Sequence, residues 1–256
     1  DVDEQQVQMR KAIIAANTPP QTKETYKDLR SSSMDATMFD DALWLHYLKD
    51  VLAQKQWIMS YGDPQGELRL RKALLQYSYA MRGVLCKEDQ IVVGANFQSL
   101  LYLICSLYEG KRSVGMERGG FVQGEQVFRD CGFTIAYLDY DEQGITRRSL
   151  QEQPIGILYI NTASCGTRKQ ALSAKRRDEL LAYAREHEVL LLEDDHNGEL
   201  RYQSRLHPAI QGFDMGKQVI YMRSFSKLLL PSVRMSFMVL NEKLHHTYQQ
   251  RKQNYH

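Results

Sequence analysis

The sequence predicts an α/β fold, in which a mostly parallel seven-stranded sheet is doubly wound and covered by helices to give three layers. Segments with helical periodicity lie between most of its short apolar runs, at 98–108, 122–131 and 173–186. Uninterrupted apolar strands that alternate with helices are typical of a parallel sheet buried on both faces. The seven predicted strands are 91–93, 114–116, 133–138, 155–160, 189–192, 219–222 and 235–240.

The segments outside this sheet are polar or helical. Residues 1–30 are polar and contain Pro19 and Pro20, which favours a linker or arm. Apolar residues spaced three and four apart over 34–58 predict an amphipathic helix, with Asp40 as a candidate N-cap.

The next segment is the sequence Tyr-Gly-Asp-Pro-Gln-Gly at 61–66, which predicts a turn, and a helix follows it that ends at Gly83. Residues 31–240 then form the main domain. Residues 241–256 predict the start of a helix that leads to a C-terminal part outside this chain.

Composition excludes several classes of protein. The 33 Lys and Arg residues nearly balance the 31 Asp and Glu residues, so no overall field directs the domain to nucleic acid or to an anionic membrane. The four cysteines are scattered without a CxxC pair, and no histidine cluster has metal-ligand spacing. No apolar run reaches the roughly 20 residues of a membrane helix. We therefore expect a cytoplasmic protein with reduced thiols and no metal site.

Lys227 is the main candidate for chemistry. It follows the apolar run 219–222 and is flanked by Ser224, Ser226 and Arg234. A desolvated lysine can form an imine, while hydroxyl and guanidinium groups can hold a phosphate. A lysine amine that can bind an aldehyde, next to groups that can bind a phosphate, indicates the cofactor pyridoxal 5′-phosphate (PLP). Taken alone, the Ser-x-Ser-Lys sequence would be explained better by a surface lysine in a serine-rich loop.

Asp194 also falls at the end of a predicted strand, where ligands bind in open α/β sheets. It follows the run 189–192, and its carboxylate suits the pyridinium nitrogen of PLP. Asp194 or its neighbour Asp195 could instead only cap a turn. His196 could hydrogen-bond the ring's 3-oxygen, or it could be an exposed loop histidine.

Two further groups follow predicted strands. Phe121 comes after Gly119 and Gly120 and could stack on the pyridine ring, although an apolar residue there is often simple core. Gln98 and Ser99, with Phe97 before them, open a helix whose free N–H groups favour a phosphate. Ordinary helix capping is the alternative for that polar first turn.

Four stretches carry a resemblance to a known family: 61–66, 81–86, 193–202 and 224–237. They resemble the aminotransferase-like, effector-binding domain of the MocR/GabR-type transcription regulators of bacteria, which belong to the GntR family. These domains are in turn similar to the large domain of fold-type I PLP-dependent aminotransferases. The resemblance covers nearly the whole chain, and the last two stretches at their mutual spacing are the most specific.

The resemblance implies a role for each candidate. Lys227 forms the Schiff base with PLP, Asp194 is the pyridinium partner and Phe121 stacks on the ring. Ser224 and Arg234 hold the phosphate. Tyr61 reaches the phosphate of the neighbouring subunit, which implies a homodimer.

The resemblance also implies the setting of the domain. DNA binding would come only from an N-terminal winged-helix domain encoded upstream of Asp1, and residues 1–30 would be the end of the linker from it. The C-terminal small domain would follow residue 256.

The chain departs from the family in its substrate-handling residues. The loop 163–169 lacks the usual Ser-His-Gln-aromatic-Pro pattern, and His196 replaces a tyrosine. Ala95-Asn96 replaces a Ser-Gly turn at 95–96, and Gln123 replaces an arginine. We therefore expect a PLP-dependent sensor of an amine or amino-acid-like effector, or of PLP itself. A working aminotransferase and a scaffold that dimerises without cofactor are the alternatives.

Overall fold

One antiparallel strand interrupts an otherwise parallel sheet. The protein is described here by a computed structural model, which covers residue 8 and residues 39–166, 171–196, 198 and 208–255. Its strands are β1 Ile91–Gly94, β2 Ser113–Met116, β3 Thr134–Tyr137, β4 Tyr140–Asp141, β5 Gly144–Ile145, β6 Ile157–Asn161, β7 Leu190–Asp194, β8 Val219–Ser224 and β9 Ser236–Val239.

The sheet has the order β1-β9-β8-β7-β6-β2-β3. Strand β9 runs antiparallel to both of its neighbours, and the other pairs are parallel. All seven predicted strands are confirmed. The small hairpin β4–β5 was not predicted.

The helices predicted over 98–108, 122–131 and 173–186 form within a residue of the predicted ends, whereas the single helix predicted over 34–58 is interrupted at Gln54. The described helices are α1 Asp41–Ala53, α2 Lys55–Ile58, α3 Leu68–Arg82, α4 Phe97–Leu107, α5 Val122–Asp130, α6 Arg147–Glu152, α7 Ala174–Glu186, α8 Ile210–Asp214 and α9 Glu242–Arg251. Asp40 caps α1 by accepting the Leu43 N–H at 2.8 Å. Gly83 ends α3 with a φ of 64°, a left-handed conformation that glycine adopts without steric cost.

The core lies on both faces of the sheet, because successive side chains of a strand point to opposite sides. Leu190 and Leu192 of β7 pack in one cluster with residues of α4, α5 and α9. Leu191 packs in a second cluster with residues of α6 and α7. A third cluster joins α3 to β8 and β9. The predicted three-layer α/β architecture is therefore confirmed.

Helix α1 is the exception to this burial. It contains no buried residue, and Leu43, Tyr47 and Val51 on its predicted apolar side are 50%, 58% and 46% exposed. The periodicity of residues 34–58 thus predicted a helix that is found over Asp41–Ala53, while the described part of the chain does not cover its apolar side.

Some predictions fall outside the described residues. They include nearly all of the linker over 1–30, the start of the predicted helix at 34–38, residues 167–169 of the loop 163–169, and residues 197 and 199–202 of the stretch 193–202. Within the described residues, none of the helices has the length and apolar character that crossing a bilayer requires.

Candidate cofactor site

Strand register brings several of the predicted site residues to one edge of the sheet. Asn161 of β6 lies beside Asp194 of β7, which lies beside Met222 of β8. Farther along the sheet, Gly94 of β1 and Ser224 of β8 both lie beside Ser236, the first residue of β9. The carboxyl ends of β1, β6, β7 and β8 therefore share an edge with the start of β9.

Lys227 lies in the turn that leaves β8 at this edge. Phe225 fixes the turn: its carbonyl oxygen accepts the Leu229 N–H at 2.8 Å, and its N–H donates to the carbonyl of Met235 at 3.0 Å. The Phe225 ring is buried and stacks on Phe237, with ring centroids 5.8 Å apart. Lys227 itself is half-buried. The lysine thus projects from a turn that the core holds in place.

The candidate phosphate ligands surround the same turn. The hydroxyl oxygens of Ser224 and Ser226 are 3.2 Å apart. Arg234 is exposed and follows the 3-10 turn Pro231–Val233, with a φ of 53° that is uncommon for an arginine. Because Ser236 lies beside Ser224, Arg234 returns to the edge where Ser224 ends β8. Their phosphate-binding role stays a prediction.

Helix α4 begins at the same edge, directly after β1. Asn96 is its N-cap and accepts the Ser99 N–H at 2.8 Å. Phe97 and Gln98 form the first turn, where the helix dipole favours an anion. Through the register of β1, β9 and β8, this turn follows Gly94 at the same edge where Ser224 ends β8. Whether Phe97 and Gln98 contact a phosphate stays a prediction.

Asp194 is buried, and both oxygens of its carboxyl group are hydrogen-bonded. Oδ1 accepts the backbone N–H of His196 at 2.9 Å, and Oδ2 accepts the hydroxyl of Tyr159. Burial raises the pKa of Asp194 to about 7, although these two hydrogen bonds act in the opposite direction. Asp194 is therefore poised between a neutral and an anionic carboxyl at neutral pH.

His196 is half-buried beside this carboxyl group. Burial lowers its pKa, and the positive charges of Lys227 and Arg223 lower it further. The imidazole is consequently neutral at neutral pH.

Asp195 faces the other side of β7. Its Oδ2 accepts hydrogen bonds from Arg82 Nε at 2.8 Å, Arg223 Nη1 at 2.8 Å and the Tyr221 hydroxyl at 2.6 Å. All four side chains are buried. Asp195 therefore belongs to an internal ion-pair network, which leaves Asp194 as the carboxyl group that can serve a ligand at this edge.

Phe121 is the N-cap residue of α5 and lies against Tyr159. Their ring planes are 24° apart with centroids separated by 5.6 Å, while Phe97 meets Phe121 edge-on at 5.5 Å. Beside them is an open depression of about 580 Å³. It is lined by Glu117, Gly119, Gly120, Tyr159, Ile160, Asn161 and Ser164. The stacking of Phe121 on a cofactor ring stays a prediction.

Tyr61 is separate from this cluster and fully exposed. The turn that carries it is fixed, because Arg71 donates to Asp63 Oδ2 at 3.0 Å and to the Gly66 carbonyl at 2.8 Å. The Gln65 carbonyl in turn accepts the Val93 N–H of the edge strand β1 at 3.0 Å. Within one chain, the structure therefore holds Tyr61 in a defined place on the surface.

Sequence reasoning missed two residues of this region. Tyr159 lies within an apolar run and was assigned only to a strand, and Arg82 was assigned only to the end of a helix. Each binds a carboxylate from a distant part of the chain. The sequence signal for both was a polar group inside an otherwise buried element, since such a group needs a partner.

The fold and the edge cluster define a class of protein, that of the PLP-type aminotransferase fold. The family model for aminotransferase class I and II matches residues 24–256, and the chain belongs to this family. Proteins of this family normally use PLP. An archaeal alanine:glyoxylate aminotransferase of known structure matches with a TM-score of 0.77 and 20% identity, over 86% of this chain and 57% of that protein.

Among curated proteins, the similar relatives are transcription regulators. An uncharacterized HTH-type transcriptional regulator of Bacillus subtilis, YdeL, is 32% identical over 85% of this chain and 47% of its own length. The probable rhizopine catabolism regulatory protein MocR of Rhizobium meliloti is 29% identical over 73% of this chain and 38% of its own length. The resemblance to MocR-type regulators is confirmed. The chain spans about half the length of the curated relatives it matches.

Proposed function

We propose that this chain is the PLP-binding, effector-sensing domain of a bacterial transcription regulator of the MocR type. Its signal is an amine or amino-acid-like compound, or PLP itself. The observation that carries the proposal is the strand register, which brings the turn of Lys227, the carboxyl of Asp194 and the phosphate candidates to one edge. DNA binding would belong to a separate winged-helix domain of the full-length regulator.

The residues at this edge fit PLP by their chemistry. Lys227 supplies the amine that binds the aldehyde carbon, and Asp194 supplies the carboxylate that holds a proton at the ring nitrogen. Ser224, Ser226 and Arg234 supply hydroxyl and guanidinium donors for the phosphate. When bound, the cofactor supplies an electron sink and a site for amine exchange.

The sensor role is supported over catalysis by the residues that would hold a substrate. Gln123, in the first turn of α5, is exposed and uncharged where the family has an arginine for a carboxylate. Losing a charge-assisted hydrogen bond costs about 1.5–3 kcal/mol per contact. Several such losses would lower turnover by orders of magnitude while leaving amine exchange possible.

Catalysis remains the second candidate, because the matched structures are aminotransferases. Production of a keto acid over many turnovers by the full-length protein would favour that function. A change in absorbance on adding an amine, without accumulation of keto acid, would favour the sensor.

A homodimer completes the proposal. Tyr61 is exposed on a fixed turn, and α1 exposes an apolar side near it in sequence. A second copy of the chain would cover such apolar area, and a two-fold interface would bring Tyr61 to the partner's phosphate.

Covalent labelling tests the proposal. Incubation with PLP followed by borohydride reduction is expected to attach a pyridoxyl group to Lys227, as located by peptide mass analysis. Lys227→Ala should lose both the label and the absorbance of the bound cofactor. Lys217→Ala is the matched control, since Lys217 is exposed just before the opposite end of β8. A label on another lysine, or no label, would overturn the proposal.

A further inference from the structure

Tyr159 holds the carboxyl group on which the proposed site depends. Its hydroxyl donates to Asp194 Oδ2, and both residues are buried. Tyr159 lies beside Leu192 in the sheet, two residues before the pair Asn161 and Asp194, so both side chains project from the same face. The contact joins neighbouring strands across the floor of the site.

The rest of Asp194 is equally constrained. Its backbone carbonyl accepts the Thr162 N–H at 3.1 Å, and its Oδ1 accepts the His196 N–H at 2.9 Å. Phe121 stacks on the ring of Tyr159, which restricts the direction of the hydroxyl. The carboxyl group of Asp194 therefore has one orientation. The His196 N–H holds its Oδ1, and the Tyr159 hydroxyl holds its Oδ2.

The groups around Asp194 act on its charge in opposite directions. Burial and the neighbouring carboxylates Glu193 and Asp195 raise its pKa, and therefore favour the neutral acid. The hydroxyl of Tyr159 and the N–H of His196 lower the pKa, because donors stabilise the anion. The positive charge of Lys227 acts on His196, the residue whose N–H binds Asp194 Oδ1. Tyr159 is the one side chain among these that donates a hydrogen bond directly to the carboxyl group.

We infer that Tyr159 is a positioning residue for Asp194, which fixes the orientation of the carboxyl group through Oδ2 and favours its anionic form for the nitrogen of a protonated heteroaromatic ring. The part that concerns the ring rests on the proposed function. The part that concerns orientation and charge is a property of the protein alone. No bond is made or broken by Tyr159, which acts only through Asp194.

The first test needs no cofactor. In protein labelled with ¹³C at aspartate carboxyl groups, the resonance of Asp194 is assigned with Asp194→Asn and followed against pH. Tyr159→Phe removes the donor and should raise the titration midpoint of Asp194 by about one pH unit. A shift of this size corresponds to the loss of one hydrogen bond of about 1.4 kcal/mol. An unchanged midpoint would overturn the inference.

Tyr183→Phe is the matched control. Tyr183 is also buried, and its hydroxyl donates to the Leu150 carbonyl at 3.0 Å, away from the site. The control should lose comparable stability without moving the titration of Asp194. An equal shift in both variants would overturn the inference, since the effect would then be a general loss of packing.

A second replacement covers the case in which Tyr159→Phe folds poorly. Incorporation of 3-fluorotyrosine at position 159 preserves the shape of the side chain and makes the hydroxyl a stronger donor. The midpoint of Asp194 should then move downward. A shift upward, or no shift, would contradict the assignment.

The second readout uses PLP. Tyr159→Phe should bind it about tenfold more weakly near neutral pH, and binding should recover as the pH rises above the new midpoint of Asp194. Weak binding at every pH would show a merely structural role and overturn the inference. If the unmodified protein binds no PLP while the midpoint still shifts, the proposed function fails and the role of Tyr159 stands.

Discussion

Removing Arg82 tests the energetic role of the buried network around Asp195. Arg82 Nε lies 2.8 Å from Asp195 Oδ2, and both side chains are fully buried. Arg148 Nε lies 2.9 Å from Glu152 on the surface, where the side chains are 89% and 54% exposed. The two ion pairs have nearly the same length, so burial is the variable that separates them.

Removing one partner of a buried pair leaves a desolvated charge and costs about 3–5 kcal/mol. Arg223 and Tyr221 still donate to Asp195 after the change, so we expect Arg82→Met to lose about 3 kcal/mol. An exposed pair four residues apart on a helix contributes only about 0.3–0.5 kcal/mol. Arg148→Met should therefore be nearly neutral.

Urea denaturation followed by circular dichroism measures both variants. The free energy of unfolding should separate them by more than about 2 kcal/mol, with unchanged dependence on urea concentration. Equal losses for Arg82→Met and Arg148→Met would refute the reasoning, because burial would then not determine the energy of the pair.

Two further predictions concern pH and assembly. Burial raises the pKa of Asp194 and of Glu193 to about 7, from 3.8 and 4.5, so the folded chain holds these protons more tightly than the unfolded chain. The stability that these two carboxyl groups contribute is complete below about pH 4 and is lost as the pH rises through about 7. Between pH 4 and pH 7 the urea midpoint of Asp194→Asn should therefore fall less than that of the unmodified protein. For assembly, sedimentation should show that the protein is a dimer, and Tyr61→Phe should bind PLP more weakly than the unmodified protein. A monomer that binds PLP tightly would contradict a PLP site shared between two subunits.

The sheet could be predicted because its strands are buried on both faces and therefore read as continuous apolar runs. The hairpin β4–β5 escaped prediction, since each of its strands has two residues and Tyr140-Asp141 has no apolar repeat. For α1, the spacing of the apolar residues indicated a helix. The same spacing does not show which part of a protein packs against that helix. Among the described residues, its apolar side stays exposed.

The site could be predicted in part for a similar physical reason. Lys227 and Asp194 stand directly after apolar strands, which makes them visible as candidates. Tyr159 was hidden because a tyrosine within a buried strand is compatible with ordinary core. Its contact with Asp194 depends on the register between β6 and β7, which spacing along the chain does not encode.

The antiparallel direction of β9 has a consequence for the order in which the domain folds. Since β9 returns beside β8, residues 225–235 form a short connection that carries both Lys227 and Arg234. Closing a short loop costs little chain entropy, and local contacts form early. The lysine, the serines and the arginine can therefore assemble as one hairpin, whereas Asp194 joins them only when β7 docks. This topology therefore favours local formation of the turn that carries Lys227 and Arg234, ahead of the docking of β7 that adds Asp194.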